Sequence, residues 1–437
     1  MAREALTPQG ACADPRPSAR AGAGGLPRAG RVALAPGLVQ NRAGTIGSSR
    51  AGMSGEIEPF HAIGISRLAH RLKAEGRSVI HMEFGQPSTG APRAAVEAAH
   101  RVLDTEAMGY WESPALRERI ARHYLEAYGV RIDPDRVILT CGASPGLVLA
   151  LTSGFAPGDR VAMARPGYVA YRNVARALHL EPVEIACGPA ERFQLTAAAL
   201  RALDPAPAAA IVASPANPTG TIIAPGELAA IAGVCRERNI RIVSDEIYHG
   251  LSYVGPARSM LEFDPGAVVI NSFSKYFSMV GWRLGWIVAP PDLLARARAC
   301  VGNLFLTAPS LSQHAGLVAM DCADELQGHV ETYRRNRALL LEALPALGLG
   351  SIAPPDGAFY VYADVGHLTG DSLAFCERLL RDTGVATAPG VDFDPVDGRR
   401  FIRFSFAVST AEVLEALARL KPWFAAQPRV TAPTAPA

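Results

Sequence analysis

Short apolar runs recur along the middle of the chain: RVILTCG, DRVAMARP, AAIVASP, RIVSDE, AVVINSF and LGWIVAP. Their length and β-branched content suit strands buried on both faces of a sheet. Helical patterns such as GELAAIAGVCRERN and PDLLARARACVGNLF separate some of them, so the spacing predicts a layered α/β domain. After about residue 330 the pattern changes to a long amphipathic stretch, HVETYRRNRALLLEALPAL. Strand patterns (GAFYVYADV, RRFIRFSFA) and helical ones (SLAFCERLLRDTG, AEVLEALARLKPWF) follow. That succession predicts a second, smaller α+β domain.

The division expected is a large domain over 96–330, a small C-terminal domain over 331–424, and a segment over 53–95 that contributes to the small domain. Residues 1–52 are mostly Ala, Gly, Pro and Arg without periodicity, a composition that buries too little to order itself. Disorder is the expectation there, or a start of translation at Met53; scattered arginines with few acids also fit an organellar transit segment. The tail over 425–437 is expected to be disordered as well.

The whole chain has 437 residues, 49% hydrophobic and 19% charged, enough for a large core. A formal net charge of +2 gives no long-range attraction to nucleic acid or an anionic membrane. Seven cysteines lie scattered without CxxC pairs or Cys/His clusters, which fits neither a disulfide framework nor a metal site. A reducing, cytoplasmic location is therefore expected. The most apolar window, VILTCGASPGLVLALTSGF, is broken by Gly, Ser and Pro and does not read as a membrane span.

Candidate chemistry gathers where strand patterns end, the edge at which α/β sheets bind ligands. TCGASPG is a small-residue turn opening into a helix; it is either a tight turn or a set of backbone N–H groups for an anion. ASPANPTG holds Asn217 between prolines, and RIVSDEIYHG carries Asp245 with Tyr248 three residues on. A buried carboxylate is as often a structural partner as a functional one. His249, beside Tyr248, reads as a packing or surface residue. Only three of the 43 basic residues are lysines, and Lys275 follows a strand pattern whereas Lys73 and Lys421 have surface contexts. NSFSKYFSMVGWR then places Ser272, Ser274, Lys275 and Arg283 together. A hydroxyl, an arginine and a helix N-terminus make a phosphate site; a lysine, an acid and a phenol make a site for an aldehyde cofactor.

In order, GQP, TCGAS, RPGYVAY, SPANPTG, DEIY, SFSKYFSMVGWRLGW, DGAFY, APG and RFSFA resemble the class I and II aminotransferases, enzymes of the fold-type I pyridoxal-phosphate group, over roughly residues 56–424. The resemblance implies a large domain with a mostly parallel sheet between helices plus a smaller α+β domain, and pyridoxal 5'-phosphate as cofactor. It implies that Lys275 forms the Schiff base and then carries the α-proton. Ser272, Arg283 and the turn Gly142, Ala143 and Ser144 match phosphate ligands, and Tyr168 the residue stacked on the pyridine ring. Asp245 matches the partner of the ring nitrogen, while Asn217 and Tyr248 match the groups on the ring oxygen.

For the substrate, Arg403 matches the arginine that takes the α-carboxylate, and Gly85 the glycine whose backbone lies against it. Tyr110 matches a tyrosine that reaches the partner subunit's phosphate, implying a homodimer with shared active sites. Here the chain departs from the family's YTxxxGxxxLR and reads YWESPALR. The implied activity is transfer of an amino group between an L-amino acid and a 2-oxo acid. The same residues serve C–S β-lyases and cyclopropane-forming synthases, which stand as alternatives; a transcription regulator with an aminotransferase-like domain would need a winged helix that the first 52 residues do not suggest. No arginine stands where a second carboxylate pocket would be marked, and NLFLTAPSLSQ is apolar and rich in hydroxyls, so a neutral or aromatic amino donor is expected.

Overall fold

The computed structural model describes residues 57–428. The expectations for the N-terminal 52 residues, and for most of the tail, lie outside the described residues. The strands in chain order are β1 (Ile80–His81), β2 (Val137–Thr140), β3 (Arg160–Arg165), β4 (Glu181–Ala186), β5 (Ala209–Ala213), β6 (Arg241–Asp245), β7 (Val268–Ser272), β8 (Gly285–Val288), β9 (Tyr360–Asp364), β10 (Val385–Ala386), β11 (Ala388–Pro389) and β12 (Phe401–Ser405).

The seven strands β2 to β8 form one sheet in the order β2-β8-β7-β6-β5-β3-β4. The run from β4 to β7 is parallel, while β8 is antiparallel to both β7 and β2. Two antiparallel pairings in succession restore the direction, so β2 ends at the same edge as β3, β5, β6 and β7. For the same reason the start of β8 reaches that edge. One side of the sheet therefore collects the turns after β2, β3, β5, β6 and β7 and the approach to β8. The six apolar runs recognised above all became strands. EPVEIA, which forms β4, lacks an apolar run because it is an edge strand with partly exposed side chains; Pro182 is tolerated there because an edge strand leaves one side of its backbone unpaired.

A three-stranded antiparallel sheet, β11-β12-β9, lies in the C-terminal part. The helix His61–Ala74 buries Ile65, Leu68 and Leu72 in the same cluster as Phe375, Leu379 and Leu420, and β1 pairs in parallel with β10. The N-terminal segment thus packs on C-terminal elements, which carries Phe84 and Gly85 to the sheet edge. The long helix Ala323–Ala346 begins several residues before the amphipathic stretch read from the sequence. The segment after β7 is pinned by Phe273, whose ring meets those of Phe277 at 4.7 Å and Trp286 at 5.3 Å in the core. Among the described residues, no helix is long and apolar enough to cross a membrane.

Candidate active site

A cleft of about 270 Å³ opens at the collecting edge of the large sheet, lined by Lys275, Asp245, Tyr248, Asn217, Tyr168, Arg283 and Arg403 among others. These side chains come from separate turns, and the topology alone brings them together. Lys275 Nζ donates to the Gly85 carbonyl at 2.5 Å. Burial, with Arg403 and Arg283 nearby, pushes its pKa down to about 8, because a positive charge is disfavoured both by low dielectric and by like charges. The neutral amine is therefore reached more easily than in a free lysine.

Asp245, the last residue of β6, is 8% exposed. Burial raises its pKa, opposed by a hydrogen bond from Tyr171 Oη at 2.7 Å, one from the Ile247 amide at 3.1 Å and the charge of Lys275. Tyr171 was not singled out from the sequence. The signal was present in RPGYVAY: Tyr168 and Tyr171 stand three apart, and Tyr171 lies in the helix Val169–Ala177, where that spacing places side chains on neighbouring positions of one face.

The far end of the cleft is an anion cradle. Gly142 at φ 102° precedes the helix Ala143–Gly154, whose N-terminus points into the cleft through Ala143 and Ser144. Any side chain at Gly142 would meet Arg283, since a Cβ there would lie 2.4 Å from Nη2. Arg283 donates to the carbonyls of Val280 at 2.9 Å and Cys141 at 3.0 Å, which holds the guanidinium over the turn. Ser272 is placed differently from the other expected ligands: its hydroxyl is 2.8 Å from Ser274 Oγ and 3.1 Å from the Leu284 carbonyl, and the residue is 1% exposed. Of these two serines Ser274 lines the cleft. Tyr110 is 85% exposed and does not line the cleft of its own chain.

At the other end, Arg403 on β12 is 1% exposed. It donates to Asn217 Oδ1 at 2.7 Å and to the Glu83 carbonyl at 2.5 Å, between the rings of Tyr360 (4.3 Å) and Phe393 (4.7 Å). Its buried Nε finds no hydrogen-bond partner among the described residues. A buried guanidinium with unspent donors is a site for a carboxylate. Tyr248 Oη lies 2.7 Å from Tyr360 Oη. Gly85 is required here, because a Cβ at that position would stand 1.7 Å from Tyr360 Oη. Tyr360, Phe60 and Phe84 also line the cleft; Tyr360 is the tyrosine of DGAFY, a motif that carries no mark of its contact with Gly85.

His249 is buried at 6% exposure, not on the surface. Tyr128 Oη is 2.7 Å from its Nδ1, and its Nε2 is 3.0 Å from the Ser214 carbonyl oxygen. Burial lowers its pKa to about 3 and raises that of neighbouring Glu246 to about 8. Glu246 Oε2 approaches His249 Nδ1 to 3.6 Å, and burial disfavours the charged form of both groups.

A lysine amine near a buried carboxylate, an aromatic wall, phenol and amide groups between them, and an anion cradle at one end fit pyridoxal 5'-phosphate, and together they define a pyridoxal-phosphate enzyme of fold type I. The family model of class I and II aminotransferases matches residues 77–420, and the chain belongs to that family. Over 388 residues it is 45% identical to the valine–pyruvate aminotransferase of Mycobacterium tuberculosis, covering 87% of this chain and 100% of the relative. It is 34% identical to the (5-formylfuran-3-yl)methyl phosphate transaminase of Methanocaldococcus jannaschii, over 84% of this chain and 96% of that one. Among solved structures, an aminotransferase from M. tuberculosis superposes with a TM-score of 0.83 at 45% identity, covering 85% of this chain and 98% of the other. Aspartate aminotransferase from Thermus thermophilus with maleate gives 0.79 at 31% identity, covering 84% and 97%. The protein is an aminotransferase that uses pyridoxal 5'-phosphate, an amino acid and a 2-oxo acid.

Proposed function

We propose that the amino donor is a neutral aliphatic L-amino acid of the valine type and that pyruvate is an acceptor. The observation that carries this reading is the pairing of one carboxylate-binding arginine with apolar walls. Of the cations lining the cleft, Lys275 and Arg283 serve the aldehyde and phosphate ends, which leaves Arg403 for a single carboxylate, with Phe60 and Phe84 nearby. The name of the 45% identical relative supports the same substrates.

Pyridoxal phosphate, when bound, supplies an aldehyde that takes up the amino group and a ring that accepts electrons from the α-carbon. Lys275 holds the aldehyde end and, once displaced, moves the proton at the substrate α-carbon. Asp245 keeps a proton on the ring nitrogen, and Tyr171 keeps the Asp245 carboxylate oriented. Asn217 receives Arg403 on Oδ1, which leaves its amide N–H groups for the ring oxygen. Tyr360 supports Tyr248 in the same task. Arg283, Ser144 and the Gly142–Ala143 backbone take the phosphate, with Ser274 at hand and Ser272 behind it. Arg403 holds the α-carboxylate, and Gly85 keeps the approach to it open.

The enzyme works as a homodimer with the exposed Tyr110 reaching the partner's phosphate. The main sheet with 96–330 forms the cofactor-binding domain, and 331–424 with 53–95 forms the smaller one. Residence in the cytoplasm is supported by the free state of all six described cysteines. The test is a screen of L-amino acids against several 2-oxo acids, with ammonia release followed in parallel. Highest kcat/KM for valine or a similar donor with pyruvate is expected; preference for aspartate or glutamate by tenfold or more overturns the substrate assignment.

A further inference from the structure

The turn that presents Asn217 leaves the sheet at a place where the ladder stops. β5 and β6 pair in register up to Ala213 opposite Asp245, and beyond that pair the chains diverge, one towards Asn217 and the other towards Tyr248. His249 spans the gap from the β6 side. Its Nε2 meets the Ser214 carbonyl at 3.0 Å, which requires the proton on that nitrogen, and its Nδ1 faces Tyr128 Oη at 2.7 Å, which then donates. The two contacts are compatible with one neutral tautomer and with neither nitrogen charged. Downstream of Ser214 the turn is closed by Gly220 N–H to the Ala216 carbonyl and Ala216 N–H to the Thr221 carbonyl, so a shift at Ser214 is passed to Asn217.

We propose that His249 is a positioning residue: by holding the Ser214 carbonyl it sets where Asn217 stands between Arg403 and the bound cofactor. Asn217 is the one side chain in contact with Arg403 that also faces the ring oxygen in the reading above, so His249 acts on the carboxylate site and the cofactor site together. The inference rests on that reading of Asn217, and Asn217→Ala alone tests it. Burial disfavours the charged imidazole; the groups around it are Glu246, Tyr128 and His123.

The test compares His249→Gln with His249→Asn in the holoenzyme. A glutamine amide reaches the place of Nε2 and keeps the bond to Ser214, whereas an asparagine amide stops near Nδ1. Three readouts are taken: the pH midpoint of the visible cofactor band, kcat/KM with L-valine and pyruvate, and hydrogen exchange of the amides of 214–221. For His249→Asn the expected results are a midpoint raised by about one pH unit, kcat/KM lower by about 10-fold and exchange faster by about 10-fold. His249→Gln stays within about 1.5-fold of the wild type, and adding His249→Asn to Asn217→Ala costs less than about 2-fold. Tyr128→Phe, which leaves the packing intact and loosens the imidazole, raises the midpoint by about half a pH unit, lowers kcat/KM by about 3-fold and speeds exchange by about 3-fold. Equal behaviour of the Gln and Asn variants, full additivity with Asn217→Ala, or wild-type readouts in Tyr128→Phe overturns the assignment.

Discussion

Replacing Arg403 with leucine removes a guanidinium that is 1% exposed and held by Asn217 Oδ1 at 2.7 Å, the Glu83 carbonyl at 2.5 Å and two aromatic faces. In so dry a place a substrate carboxylate left without its partner costs about 2–5 kcal/mol. At about 1.4 kcal/mol per decade this is a loss in kcat/KM of about 30-fold to several thousand-fold. Both half-reactions should suffer alike, because amino acid and oxo acid present the same carboxylate. The fold also bears a cost of about 1–3 kcal/mol, since the Glu83 carbonyl and Asn217 lose their donor, so the melting temperature is followed beside the kinetics. Arg403→Lys keeps the charge without the planar fork and should fall between. Stopped-flow absorbance of each half-reaction, with the bound cofactor's spectrum taken first, is the assay. Loss of cofactor, or impairment with only one of the two substrates, refutes the carboxylate role.

Three further outcomes are expected. Asp245→Ala should lower turnover on the order of 10²–10³ and weaken cofactor binding, while Tyr171→Phe, which removes only the 2.7 Å donor to Asp245, should cost about 3- to 10-fold in kcat; wild-type turnover in either variant would contradict the electrostatic role given to Asp245. Glu246→Gln should flatten the pH dependence of stability: burial raises the folded-state pKa of Glu246 from 4.5 to about 8, so its contribution is in full below about pH 4.5 and is lost at up to about 1.4 kcal/mol per pH unit as pH rises towards 8. Thermal melts between pH 5 and 8.5 should therefore show the variant gaining on the wild type with rising pH, and parallel curves would mean that Glu246 is ionised when folded. Gly142→Ala should impair cofactor retention, since its Cβ would press on Arg283 Nη2; unchanged retention would place the phosphate elsewhere.

The cleft was legible in the sequence because its residues follow short apolar strands, and a strand end fixes where the next few side chains stand. Lys275, Asp245, Asn217, Tyr168 and Arg283 all line the one cleft. What could not be read depends on contacts between distant segments. The bond from Tyr171 to Asp245 joins residues 74 apart, and the packing of Tyr360 against Gly85 joins β9 to a loop of the N-terminal segment. Ser272 and Ser274 are equivalent in the pattern SFSK; only the turn after β7 decides which hydroxyl faces the cleft. For His249 the sequence leaves packing and surface open, because a histidine after a strand carries no sign of burial and its partners Tyr128 and Ser214 come from other elements.

The most direct test of the account is to reduce the holoenzyme with borohydride and map the modified peptide. A single pyridoxyl group on Lys275, with the wild-type melting temperature kept and labelling abolished in Lys275→Ala, is the result predicted. A label on Lys73 or Lys421, both exposed, or undiminished labelling in Lys275→Ala, would contradict it.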